Sequence, residues 1–227
     1  MKFLTLSRFL LVLILPLLIF LLALNFLGFD NLFYTEKFSE YNIQQNVPGA
    51  DSLHEKVMNF INGKTDELPK EFDYREKQHL LDVRNLIKIS TVILYTLIVL
   101  FLLLLVASSI ILKANNYVIN FVGKVLIFGG FLTVTLAALL FLFINSDFST
   151  AFESFHQMLF EKGTYSFDPA KEIITNLYPE QLFMDLGLRI SKWAVAGSVI
   201  LVLLGAFLVF KSKKNIKKHK SKFQKQT

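Results

Sequence analysis

Four predominantly apolar runs, at about 9–29, 89–112, 118–144 and 186–210, set the strongest limit on how this chain can fold. Each has the length needed to cross a bilayer as a helix, roughly 17–25 residues. A soluble domain of 227 residues has no use for four such runs. The first begins after Lys2 and Arg8, as a signal peptide would. Its apolar stretch exceeds the roughly 7–15 residues of a signal core, however, and no small-x-small cleavage site follows. It reads as a retained span, with Pro16 tolerated inside the helix.

Charge then orients the spans. The tail at 211–227 carries eight Lys and no acid, and Lys113 and Lys124 flank the short turn at 113–117. All 18 acidic residues lie in the two longer connecting segments, 30–88 and 145–185. The positive-inside bias therefore places residues 1–8, the turn and the tail in the cytoplasm, and the two acidic segments outside. Beside a span, a Lys-rich tail reads as a partner for anionic lipid headgroups rather than nucleic acid. Absence of Cys excludes disulfides, thiolate catalysis and Cys-based metal sites. The expected fold is an all-α integral membrane protein of four transmembrane helices with a small helical extracytoplasmic cap.

The cap itself carries helical signals. In the first segment, "VPGA" at 47–50 predicts a turn, and residues 53–61 a helix capped by Ser52 with Leu53, Val57, Phe60 and Ile61 on one face. A second helix starts near Tyr74 and runs straight into the second span. In the other segment, Phe148, Phe152, Phe155 and Leu159 form a helical stripe that Gly163 would stop, and Asp168-Pro169 would start a short helix ended by Tyr178-Pro179. Amphipathic helices of this kind are expected to lie on the membrane with their apolar faces down.

Within this frame, the stretch "EKQHLLDVR" at 76–84 puts Glu76, His79 and Asp82 at three-residue intervals, on one broad helical face. Of the four histidines, His219 lies in the Lys-rich tail and His54 opens a surface helix. His79 and His156 alone fall where cap and membrane should meet, on different segments. Neutral imidazole both accepts and donates protons near neutral pH, and flanking carboxylates would raise its pKa and fix its tautomer. Arg84 adds a cation suited to an ester carbonyl or oxyanion, or else a snorkelling partner for Asp82. Glu76-x-x-His79 and Glu153-x-x-His156 each match half of a di-iron bundle motif, but the first and fourth spans supply no Glu or Asp to complete it. No HExxH, Gly-x-Ser-x-Gly or Gly-rich phosphate loop occurs. Metal-free acid–base work is the expected chemistry, with no cofactor.

The combination "ExxHLxDVR" before the second span, "FHxxLF" (Phe155 to Phe160) after the third and "LYPEQLF" before the fourth resembles the bacterial lipoprotein intramolecular transacylase (Lit) family. The resemblance spans nearly the whole chain, in motif order and topology. It implies transfer of the sn-2 acyl chain of a diacylglyceryl-modified lipoprotein onto its N-terminal cysteine amine, giving the lyso-form. It implies His79 and His156 as catalytic residues, Glu76, Asp82, Arg84, Phe155 and Phe160 as supporting or substrate-binding residues, and diacylglyceryl lipoproteins and membrane lipids as partners. The alternative from another class is a non-enzymatic membrane module whose acidic cap binds a cationic partner.

Overall fold

The computed structural model describes residues 2–161 and 163–223, with the side chains of residues 217–223 left aside. Among the described residues all regular structure is helical, without strands. Four helices are long and apolar enough to cross a membrane: α1 (Lys2–Leu27), α5 (Tyr74–Leu112), α6 (Asn115–Ser146) and α9 (Glu180–Phe223). Between α1 and α5 lie α2 (Asn31–Glu40), α3 (Ile43–Asn46) and α4 (Ala50–Ile61). Between α6 and α9 lie α7 (Phe148–Leu159) and α8 (Ile173–Leu177).

Two compact units share these elements, one of residues 1–22, 93–140 and 191–227, the other of residues 23–92 and 141–190. In the first unit, small residues let helix backbones approach. A Cβ added to Gly205 of α9 would stand 2.6 Å from the Gly123 carbonyl oxygen of α6, and one at Gly130 would stand 2.6 Å from Val202 Cγ2. Lipid tails are as apolar as the helices, so close packing of small residues is what holds such helices together. Polar groups pair across helices as well: Ser7 and Ser108 hydroxyls are 2.6 Å apart, and Asn120 Nδ2 donates to Ser212 Oγ at 3.0 Å. Pro16 is fully buried inside an unbroken α1.

The second unit has an apolar core of its own. Phe33, Tyr34 and Phe38 of α2, Leu53, Val57, Phe60 and Ile61 of α4, Leu80 of α5, Ile174 and Leu177 of α8 and Leu182 and Leu186 of α9 are buried together. Each such side chain contributes roughly 1.5–3 kcal/mol on leaving water. This corrects the expectation of apolar faces turned to the membrane for α2, α4 and α8, whose apolar residues are buried in this core. The α4 stripe does fall at the helical spacing read from the sequence, but it faces protein. His54 lies on that buried face rather than on a surface helix. Its ring centre lies 4.2 Å from that of Tyr34, tilted by 34°, and its Nδ1 is 3.0 Å from the Tyr178 hydroxyl.

Helix ends differ in detail. The α4 helix starts at Ala50 after Gly49, whose φ of 78° suits glycine, so Ser52 is inside the helix and not its cap. The α8 helix begins after Glu172, four residues later than Asp168-Pro169 suggested, because those residues form a turn that donates Lys171 and Glu172 amides to the Asp168 carbonyl. Pro179 follows α8 and precedes α9, as its missing N–H and fixed φ require. The α7 helix stops at Leu159, and Gly163 (φ 92°) makes a turn in the loop beyond.

Candidate active site

The start of α5 is built by reciprocal capping. The Glu76 amide donates to Asp73 Oδ1 at 2.8 Å, while the Asp73 amide donates to Glu76 Oε2 at 2.6 Å. This satisfies two backbone donors that a helix start leaves open. The other Glu76 oxygen accepts the Ile174 amide of α8 at 2.8 Å, and the residue is 1% exposed. One carboxylate thus ties the start of α5 to the start of α8 and is fully used in doing so. The sequence spacing suggested a carboxylate hydrogen-bonded to His79. The structure corrects this: Glu76 turns to backbone amides, and no carboxylate bonds to either ring among the described residues.

One turn later on α5, His79 projects into a pocket of aromatic rings. Phe160 is 4.8 Å and Phe167 5.5 Å from its centroid, and the His156 ring stacks at 6.0 Å, inclined 25°. His79 Nδ1 is buried without a partner. Because α5 becomes continuously apolar only near Ser90, His79 precedes the span. Burial, reinforced by the neighbouring His156, pushes its pKa down to about 4. The flanking acids were expected to raise it. They do not, because burial disfavours the imidazolium and neither acid is bonded to it.

His156 comes from α7, held by its own helix. Its Nδ1 is 2.7 Å from the Phe152 carbonyl oxygen, which can only accept, so Nδ1 carries a proton and Nε2 is the atom left for chemistry. Phe152 (4.2 Å), Phe155 (5.6 Å), Phe160 (5.4 Å) and Tyr165 (5.4 Å) surround the ring. On the same helix Phe155 and Met158 stay 46% and 75% exposed, an uncovered apolar face beside the imidazole. Phe152 also packs on Phe183, the last residue of "LYPEQLF", at 5.4 Å.

The remaining residues singled out from sequence sit elsewhere in the unit. Arg84 donates to Asp66 at 2.8 Å, with its guanidinium 4.7 Å from the Phe60 ring centre, so it pairs with the 62–73 loop and not with Asp82. Asp82 is half-buried near Glu161, and both effects raise its pKa, burial more than the like charge. Glu153 accepts from Gln157 and Tyr165, which leaves neither half of the Glu-x-x-His pair arranged for a metal. Among the described residues no three metal-ligating side chains converge. The side chain of His219 lies outside the described residues. Sequence reasoning passed over Phe167, Tyr165 and Arg75, which complete the surroundings of the two rings. They lie in irregular chain or pair over long separations, where no periodicity marks them.

Comparison with known proteins follows the same outline. The family model for "Lipoprotein intramolecular transacylase Lit" matches residues 9–183. A structure of the membrane-integral lipoprotein intramolecular transacylase Lit from Bacillus cereus superposes with a TM-score of 0.79 at 22% identity, covering 92% of this chain and 97% of that one. Two further structures of that protein, each with one histidine substituted, by arginine or by alanine, superpose with TM-scores of 0.74 at 23% identity. They cover 93% and 92% of this chain, and 94% and 95% of the matched chains. At such identity the likeness shows a shared membrane-integral fold. A search of curated proteins finds no significant match.

Proposed function

Because the chain belongs to the lipoprotein intramolecular transacylase (Lit) family, we propose that it moves the sn-2 acyl chain of a diacylglyceryl lipoprotein onto the N-terminal cysteine amine. The protein is an acyltransferase by family, which displaces the reading as a non-enzymatic module. The stacked pair of His79 and His156, brought together from two separate segments, is the observation that carries the mechanism.

The amine nitrogen attacks the ester carbonyl, and the new C–N bond leaves that nitrogen cationic and its protons acidic. His79 is held neutral by burial. It therefore keeps a lone pair at neutral pH and takes one of these protons. Collapse of the tetrahedral adduct breaks the bond to the glyceryl oxygen, and His156 in its imidazolium form delivers a proton to that oxygen from Nε2. The products are an amide and an alcohol, and return of the proton from His79 to His156, whose ring stacks on it, resets the pair. No electrons are gained or lost, so no redox group is required.

Arg84 and Asp82 have supporting roles in this scheme through the substrate, since neither bonds to the rings. Phe155 and Phe160 hold acyl chain beside the imidazoles, and the exposed face of α7 suits that load. Donor and acceptor belong to one molecule, so placement supplies much of the rate, up to about 7–11 kcal/mol for well-aligned groups. The acidic segments face outward and the Lys-rich tail meets cytoplasmic lipid headgroups.

The test is mass spectrometry of a diacylglyceryl lipopeptide incubated with the purified protein. His79→Ala and His156→Ala should each lose on the order of 10²–10⁴ in rate. The double variant should be little worse than either single, since groups acting as a unit are non-additive. Full conversion by both folded single variants would remove the acid–base assignment.

A further inference from the structure

Arg75 takes no part in the reaction scheme, yet it makes more long-range contacts than its half-exposed position on the first turn of α5 would require. Its Nη1 donates to Glu172 Oε1 at 3.2 Å, and its Nη2 donates to the Ser166 carbonyl at 2.6 Å and the Gly163 carbonyl at 3.5 Å. Its guanidinium also lies 5.4 Å from the Phe167 ring centre. Glu172 is 6% exposed and is itself locked, because its second carboxylate oxygen accepts the Asp168 amide. One planar fork therefore grips both ends of the 163–172 loop, a geometry that a lysine ammonium cannot reproduce.

The loop has no regular structure of its own. It carries Phe167, set 5.5 Å from His79, and Tyr165, set 5.4 Å from His156. We propose that Arg75 is a positioning residue, a latch that fixes the 163–172 loop so that Phe167 covers His79 and keeps water from its ring. The proposal rests on the assignment of His79 as a proton-transfer group, but the latch itself is a statement about the protein without substrate.

The charged groups around His79 leave the cover as the main control on its protonation. On its own helix, Glu76 is spent on backbone amides and Asp82 makes no bond to the ring. From α7, His156 stacks on it and Glu153 is turned to Gln157 and Tyr165. Beyond α7, Glu161 acts on Asp82. From the loop, only the Phe167 ring meets His79, with Arg75 against that ring. Removing the cover hydrates the imidazole and returns it toward its ordinary titration near 6.5.

The experiment is a carbon-13 titration of the full-length protein labelled at histidine Cε1, with the four signals assigned by single His→Gln variants. Arg75→Ala should move the His79 midpoint upward by about one unit or more, while His54, packed in its own aromatic box, stays put. Phe167→Ala should reproduce the shift with the latch intact, and Arg75→Lys should give a partial one because it retains the charge but not the fork. An unmoved His79 midpoint in folded Arg75→Ala and Phe167→Ala overturns the proposal, as does a common shift of His79 and His54, which signals general loosening. Should Arg75→Ala not fold, Phe167→Ala and Arg75→Lys decide the matter. Transacylation is assayed in parallel: loss of the reaction scheme with an intact titration shift would separate a failed mechanism from a failed latch.

Discussion

Glu76→Gln is the perturbation that most sharply separates spacing in the sequence from contact in the fold. In the sequence Glu76 stands three residues before His79, and a relay role predicts a catalytic defect with little loss of stability. In the structure its two oxygens accept one amide each, from Asp73 and Ile174, in a site 1% exposed. A glutamine keeps one oxygen and turns an NH₂ toward the other amide, so one buried donor faces another. A hydrogen bond to a charged group contributes about 1.5–3 kcal/mol, and a buried donor left unsatisfied costs about 1–3 kcal/mol. These overlap, and a net loss of about 2–4 kcal/mol follows, a large part of the roughly 5–15 kcal/mol that holds a protein folded. For a chain of this size that lowers the melting temperature by roughly 4–15 °C. The assay is thermal unfolding in detergent combined with hydrogen exchange at the Ile174 amide, whose protection should fall. At temperatures where the variant is folded, transacylation should fall much less than in His79→Ala. A rate loss as large as that of His79→Ala, with unfolding and Ile174 exchange unchanged, would refute the structural reading and restore Glu76 to the proton path.

The buried His54, with its pKa pushed down to about 4 by burial, makes the folded protein acid-sensitive. Between about 6.5 and 4 the unfolded chain binds a proton that the folded chain refuses, so stability falls as pH drops, by up to about 1.4 kcal/mol per unit. His54→Phe should flatten part of this slope, leaving the contribution of the same sign from His79; an equal acid-induced drop in unfolding temperature for wild type and variant would contradict it. In the helical bundle, Gly205→Val should cost about 1–3 kcal/mol, because its Cβ meets the Gly123 carbonyl at 2.6 Å, and unchanged resistance to SDS unfolding would show that the helices can part there freely. Activity should persist in excess chelator; abolition by chelator with rescue by a divalent ion would replace the metal-free scheme. In this Cys-free chain, a cysteine introduced at Gly49 or Gly163 should label from outside, and one in the Lys-rich tail only after permeabilisation.

The four spans were legible in the residues themselves, because hydrophobicity along a span is a local property, whereas α2 and α3 carried no such signal. A backbone in hydrocarbon has to bond to itself, so a run of sufficient apolar length becomes a helix whatever its neighbours do. The continuous helix from Tyr74 into the second span, and the Phe152 and Phe155 face of α7, follow from the same one-dimensional reasoning. Direction was not legible in the same way. A period of three or four places Glu76 and His79 on one face, but it does not say that the carboxylate turns back to the Asp73 amide and across to Ile174. That choice depends on α8, which lies 98 residues further along the chain. Likewise, the burial of His54 depends on Tyr34 and Tyr178, and the cover over His79 on a loop held by Arg75, all contacts between distant segments. Sequence therefore determined which residues could titrate beside the spans. Only the tertiary structure decided which of them lie together, which are dry, and which carboxylates are already occupied, because desolvation and hydrogen-bond partnership belong to the assembled surroundings and not to spacing along the chain.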